Sequence, residues 1–306
     1  ALPICADYIK SLKPSLFLKM PNSVDTKVKD VLLGGRDLLF FNQQYVTNPA
    51  GNGSYPSPPS VSWGKKAHNR KTKAIQFNGN AVAENAQPTG AYSTGGFLHY
   101  SPPASKRLAN AISLEKQWTS IVWFNPTSAP ISTNKTCILY CGFSDATRHK
   151  CKGATFFYDD IAGTYNNGTS TVTYPAGPKL VWDWSSSAAV TAKTILPLNT
   201  TFVADKWYMI TARFDFDTLN WSVFVNDKLD NSVTLSAAAN NKTWRWQENT
   251  FTINAFDSNN NTSGATSRSN HRIGDVVVFK HCLTDNEIVN VFRYNSPAPY
   301  LGSIDI

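Results

Sequence analysis

The chain predicts an all-β protein, an antiparallel β-sandwich of short strands with one short C-terminal helix and long surface loops. Three observations carry that expectation. Segments rich in aromatic and β-branched residues recur along the 306 residues, each bounded by Gly, Pro, Asn or Asp, as strands separated by turns require. Helical periodicity is confined to short pieces. No segment repeats with a period of roughly 20 to 50 residues, which sets aside solenoids and propellers.

Taken in order, residues 1–13 (ALPICADYIKSLK) carry no strand signal and read as an N-terminal arm or a frayed end, leaving one domain over 14–306. SLFLKM (15–20) is the first strand. From about Val24 to Ser62 the chain is rich in Gly, Asn and Pro and contains GNGSYPSPPS, an extended surface segment. SLFLKM alone cannot form a core before it, so 24–62 reads as a long loop within the domain. KAIQFNG (73–79), WTSIVWFNP (118–126), TCILYCGFS (136–144), GATFFYDD (153–160) and KLVWDWS (179–185) follow as strands, with a helical pattern only in SKRLANAI (105–112). KWYMITARF (206–214), WSVFVND (221–227), FTINAFD (251–257) and RIGDVVVF (272–279) complete the strand set.

The last strand runs at once into a capped helix, IGDVVVFKHCLTDNEIVNVFRYN (273–295). Thr284 is placed to cap the first turn, and Glu287 to reach back to it, closing a capping box. Leu283 and Ile288 form a hydrophobic staple across that box. Ile288, Val289 and Phe292 fall on one side at spacings of three and four, so the helix packs on the sheet of its own strand. A helix this short needs that support.

The order of these segments resembles the concanavalin A-like lectin/glucanase superfamily, in its laminin-G-like jelly-roll branch. The matching pieces are KAIQFNGN followed by QWTSIVWFNP, then KWYMITARFDFDTLNWSVFVND and IGDVVVFKHCLTDNEI. In the third piece Trp207 opens a strand, and Asn226–Asp227 stands where the family pattern usually has Asp-Gly. The resemblance implies that the last strand returns beside the first and that the helix plugs one end of the sandwich.

Glycoside hydrolysis is the activity to weigh first, because some relatives of that superfamily perform it. A Glu-x-Asp-x-x-Glu strand places nucleophile and acid roughly 5 Å apart on one face. The glutamates here are Glu84, Glu115, Glu248 and Glu287, too widely spaced for that motif. Asp215 and Asp217 read as solvating a hairpin turn, and Asp159 and Asp160 as ending a strand. No Gly-x-Ser-x-Gly, His-Glu-x-x-His or phosphate-binding glycine loop occurs, so no catalytic residue and no cofactor are expected.

Metal sites fare no better. Cys137, Cys141, His149 and Cys151 have zinc-like residue types, but Cys137 and Cys141 on one strand stand about 13 Å apart, too far to share an ion. Buried free thiols fit better, with Cys141 and Cys151 as neighbours across a hairpin. DSNNNTSG offers Asp257, Asn259 and Asn261 at alternate positions, yet lacks the glycine and terminal glutamate of a calcium loop. Five cysteines is an odd number, which suits a reducing compartment. Eight Asn-x-Ser/Thr triplets are close to chance and imply no glycosylation.

The candidate binding residues are aromatic. VWDWS places Trp182 and Trp184 on one strand face with Asp183 opposite, and TWRWQ repeats this with Trp244 and Trp246 around Arg245. Such pairs serve either as stacking platforms for sugar rings or as core packing between two sheets. Net charge is +8, partly in GKKAHNRKTK (64–73), a run that suits a solvated loop or contact with phosphates or acidic polysaccharide. No nucleic-acid-binding signature accompanies it, and no apolar run is long enough to span a bilayer. No secretory signal is visible at residue 1. The resemblance, with these features, leads to an expected role as a non-catalytic virion surface protein of bacteriophage type, in capsid decoration or a tail fibre. Its expected partners are other virion structural proteins and a host-surface polysaccharide, in multicopy or homo-oligomeric form. A purely structural part and a secreted lectin are the alternatives.

Overall fold

The computed structural model describes residues 5–20, 27–32, 37–42, 61–68, 73–77, 96–100, 117–126, 136–144, 151–159, 162–166, 171–183, 193–215, 217–234, 250–253 and 271–295. In chain order these form α1 (Cys5–Ser11), β1 (Leu16–Leu18), β2 (Lys27–Lys29), β3 (Asp37–Asn42), β4 (Val61–Lys66), β5 (Lys73–Phe77) and β6 (Gly96–Tyr100). Next come β7 (Gln117–Pro126), β8 (Thr136–Ser144), β9 (Cys151–Asp159), β10 (Gly163–Asn166), β11 (Thr171–Tyr174), β12 (Gly177–Asp183) and β13 (Lys193–Pro197). The chain closes with β14 (Tyr208–Asp215), β15 (Asn220–Val225), β16 (Lys228–Thr234), β17 (Thr250–Ile253), β18 (His271–Phe279) and α2 (Asp285–Asn295).

The architecture is an antiparallel β-sandwich, as the sequence predicts. One sheet runs β16-β15-β14-β7-β18-β5-β4, with β1 also on β18, and the other runs β13-β12-β9-β8-β17-β6-β3-β2. The β10–β11 hairpin stands apart as a small third sheet. Leu16 pairs with Val278 and Leu18 with Val276, so the last strand does return beside the first. The β14–β15 hairpin pairs Asp215 with Asn220, and Asn226 then takes φ 60°. That left-handed value suits the first position of a two-residue loop, and Asn adopts it more readily than most residues.

Strands β7 and β18 are buried almost from end to end, because the first sheet is covered on both faces. Phe17, Ile121, Trp123, Met209, Phe224 and Val277 form one side of the strands, packed with Ile9 of α1 and with Leu283, Ile288, Val291 and Phe292. Trp118, Val122, Phe214, Trp221, Val276 and Val278 alternate with them and are buried as well. Each such large side chain contributes roughly 1.5–3 kcal/mol on burial.

Three expectations are corrected here. The C-terminal helix lies over a face of the first sheet, not across the end of the sandwich. Its buried positions are Ile288, Val291, Phe292 and Asn295, whereas Val289 is half-exposed. Residues 5–11 are helical, with Ile9 only 1% exposed and Tyr8 edge-on to Tyr294 at 5.0 Å, so they belong to the folded body. The stretch 24–62, expected as loop, holds β2 and β3 and the start of β4. The capping box is present as expected: the Thr284 N–H donates to Glu287 Oε2 at 2.7 Å and the Glu287 N–H to Thr284 Oγ1 at 3.2 Å. Arg213 fastens the same turn, donating to the Leu283 carbonyl at 2.8 Å and to Asp285 Oδ1 at 2.6 Å.

Candidate functional site

Strand β18 carries a break that gathers polar groups. On one edge its first residues pair with β5, ending at Ile273–Ile75, and its later residues pair with β1, starting at Val276–Leu18. Gly274 and Asp275 lie between, and the register against β7 shifts at the same place. A Gly inside a strand commonly marks such an irregularity or a close approach. Here the approach is by His68, which follows β4. A Cβ built on Gly274 would lie 2.7 Å from His68 Nδ1 and 3.1 Å from Trp123 Cβ.

His68 is fully buried and stacks on Trp123, with ring centroids 3.9 Å apart and planes 6° from parallel. Trp207 meets it edge-on at 5.8 Å. The carboxyl of buried Asp275 stands 4.0 Å from His68 Nε2, and Asn295, at the end of α2, is buried in the same region. Burial pushes His68 down to about 3, with the Asn295 side chain opposing and the Lys19 charge adding to the shift. Burial pushes Asp275 up to about 7, partly offset by Lys19. His68 is therefore neutral at ordinary pH and acts as a wedge, not as a charge.

The wedge anchors the basic run. β4 and β5 pair Lys65 with Ala74 and Lys66 directly with Lys73. Residues 61–77 contain Lys65, Lys66, Arg70, Lys71 and Lys73 but no acid. Lys65 is exposed while His68, three residues on, is buried. Residues 64–66 and 73 of the run are strand and His68 is buried, while 69–72 lie outside the described residues.

The predicted sugar-stacking residues divide. Trp182 and Asp183 close β12, where Trp182 pairs with Thr194 and Ala154, and Asp183 with Lys193 and Gly153. Trp184, Trp244, Arg245 and Trp246 lie outside the described residues. Nearby, Lys179 is buried with Nζ 3.3 Å from the Pro175 carbonyl and 4.0 Å from the Tyr174 ring centre, which ties the β11 end of the small hairpin to β12.

The remaining candidates are structural. Asp215 Oδ1 accepts from the Asp217 N–H at 2.9 Å and from Gln117 Nε2 at 3.3 Å. Its slight burial pushes its pKa up, but hydrogen bonds from Asp217, Gln117 and Thr218 outweigh this and hold it below the usual carboxylate value. It stays ionised and fixes the turn, as expected. Asp159 ends β9 opposite Gly177, and Asp160 lies outside the described residues.

Cys141 pairs with Ala154 and Cys151 with Ser144, so the expected cross-hairpin neighbours stand three ladder positions apart, about 10 Å. His149 and the Asp257, Asn259 and Asn261 segment lie outside the described residues, and among those described no three His, Cys, Asp or Glu side chains converge on a metal-sized site. Sequence reasoning missed Asp275, Asn295 and the role of His68. The Gly-Asp pair inside the apolar run IGDVVVF was the available signal.

Neither a family model nor a curated protein sequence matches the chain. Solved structures do match its fold. A receptor binding domain superposes with a TM-score of 0.55 at 12% identity, over 95% of this chain and 53% of the other. The botulinum neurotoxin serotype C1 binding domain gives 0.53 at 11% identity, over 92% and 52%. A structure of botulinum neurotoxin type C, a protein whose cell entry is dependent upon interaction with two ganglioside molecules, gives 0.53 at 10% identity, over 91% and 51%. The chain spans about half the length of these proteins, and the likeness is one of fold.

Proposed function

We propose that this chain is a non-catalytic carbohydrate-binding adhesion module. The observation that carries the reading is the sandwich itself: nearly the whole chain superposes on a receptor binding domain, on a neurotoxin binding domain and on a toxin whose cell entry depends on interaction with two ganglioside molecules. Fold alone does not fix function, so the site chemistry must agree. The sugar-contacting residues proposed are Trp182, Asp183, Trp184, Trp244, Arg245 and Trp246, whose indole faces would stack on pyranose rings and whose charged side chains would bond hydroxyls. The Glu-x-Asp-x-x-Glu motif of the glucanase branch does not occur in the sequence, and Asp215 is committed to its turn. Display on a virion surface, beside other virion structural proteins and against a host polysaccharide, is the setting proposed; it is supported by the laminin-G-like order of strand motifs.

A glycan array probed with the purified chain tests the reading. Binding to a defined set of glycans is expected, with a loss of about tenfold or more for Trp182→Ala combined with Trp244→Ala. Binding unchanged in a folded double variant removes the tryptophan platform, and no glycan binding at all removes the adhesion role.

A further inference from the structure

We propose that Asp275 and His68 form a proton-operated latch, in which loss of the Asp275 carboxyl proton unseats the His68 ring from Gly274 and loosens the last turn of α2. The inference stands apart from the adhesion reading. Geometry supplies the first argument. β18 pairs Ile273 with Phe124 and Val276 with Val122, so Gly274 and Asp275 together stand opposite Trp123, and an acid enters an otherwise apolar run. Asp275 is 1% exposed and His68 is fully buried. The carboxyl lies 4.0 Å from His68 Nε2, beyond hydrogen-bond length, and Asp275 Oδ1 makes no hydrogen bond among the described residues. Such an atom in a native interior calls for an explanation.

Charge supplies the second argument. Lys19, which follows β1, acts on the carboxyl through space, but it makes no ion pair among the described residues, and its Nζ stands 5.8 Å from the Phe17 ring centre. On β18 itself, Arg272 is engaged with Asp205 at 3.3 Å and with Gln76 at 3.3 Å. The other neighbours of the His68 ring, Trp123 of β7, Trp207 ahead of β14 and Asn295 of α2, carry no charge. An ionised Asp275 is therefore a buried charge without a bonded partner, a state that favours entry of water. His68 is the cover that can yield, because it follows edge strand β4 whereas Trp123 lies in a central strand. Burial lifts Asp275 from 3.8 to about 7, so between those values the folded chain keeps a proton that the unfolded chain has lost. The seat is thus firm at low pH and loosens as pH rises through about 7. The movement reaches α2 by two contacts, since Asn295 faces His68 and Phe292 lies 5.8 Å from Trp123 with planes 15° apart.

The experiment measures carbethoxylation of His68 by diethyl pyrocarbonate in the intact chain, read by peptide mass spectrometry at about pH 6 and about pH 8. Half-exposed His281 serves as the internal reference. A carboxyl titrating at about 7 is about tenfold more ionised at the higher pH. The ratio of His68 to His281 modification is accordingly expected to rise by about threefold to tenfold in the parent chain and to change by less than about 1.5-fold more than His281 alone dictates in Asp275→Asn. A flat ratio in the parent, or an equal rise in Asp275→Asn, overturns the proposal. A second measurement needs no variant: carbon-13 titration of the Asp275 carboxyl in the parent, with amide exchange of residues 291–295 corrected for its intrinsic rate. A midpoint of about 7, with exchange in that last turn accelerating over the same range, is the expected result. A midpoint near the ordinary 3.8, or exchange indifferent to the titration, overturns the latch.

Discussion

Replacing Gly274 by alanine tests how tightly the β18 break is packed. The new methyl would sit 2.7 Å from His68 Nδ1, 3.1 Å from Trp123 Cβ and 3.2 Å from His68 Cε1. No flexible chain end is available to yield. The His68 ring is held against Trp123 at 3.9 Å, with Trp207 at its edge, and the Trp123 Cβ is part of β7. Forcing a methyl into such packing costs typically 1–3 kcal/mol, and the two-sided clash puts this site near the top of that range, at about 2–3 kcal/mol. Urea unfolding should show a lower midpoint with an unchanged slope. The combined Gly274→Ala/His68→Ala variant supplies the internal control. With the ring gone, the methyl has room on one side, so the two changes should be non-additive by at least about 1 kcal/mol. A cost for Gly274→Ala below about 0.5 kcal/mol, or strict additivity in the pair, would refute the claim that His68 is wedged at this position.

Two further outcomes follow from the same geometry. His68 and His271 are both held by burial near 3 against an ordinary 6.5, so their stabilising effect is complete above pH 6.5 and is lost as pH falls toward 3. Asp275, raised from 3.8 to about 7, works in the opposite sense: it costs nothing below pH 3.8 and its full penalty is reached above pH 7. Chemical denaturation across pH 4–8 should therefore show Asp275→Asn gaining on the parent chain as pH rises, by at most roughly 4 kcal/mol; a gain independent of pH would contradict the assignment. At the start of α2, Thr284→Ala removes the capping hydroxyl and should cost about 1 kcal/mol by thermal or urea unfolding, and a neutral result would show that Arg213 and Glu287 hold the turn without it.

How far the sequence discloses this molecule depends on where each element finds its stability. β7, β14, β15 and β18 are legible because aromatic and β-branched residues crowd them, and α2 because its cap and staple are local signals. The missed elements lean on neighbours. α1 is one or two turns of CADYIKS, held by Ile9 in a core assembled from distant strands, and no isolated helix of that length is stable. β2 (KVK) and β16 (KLDNSVT) are polar edge strands, with charges and amides that protect an open edge, so they lack a strand-like pattern. β3 (DLLFFN) was hidden by the Gly, Asn and Pro of the surrounding stretch. Among the site residues, Trp182 falls in the strand its pattern predicts. The wedge at β18 escaped notice because His68 sits in a basic run whose composition reads as solvent-facing, and only the fold brings it against Trp123.

The most direct measurement of the central claim is titration calorimetry of the purified chain with the best glycan from an array, followed by chain-length analysis of that glycan after prolonged incubation. Saturable binding with the polymer recovered intact is the predicted result. Shortened products, or no heat of binding to any glycan, would contradict it.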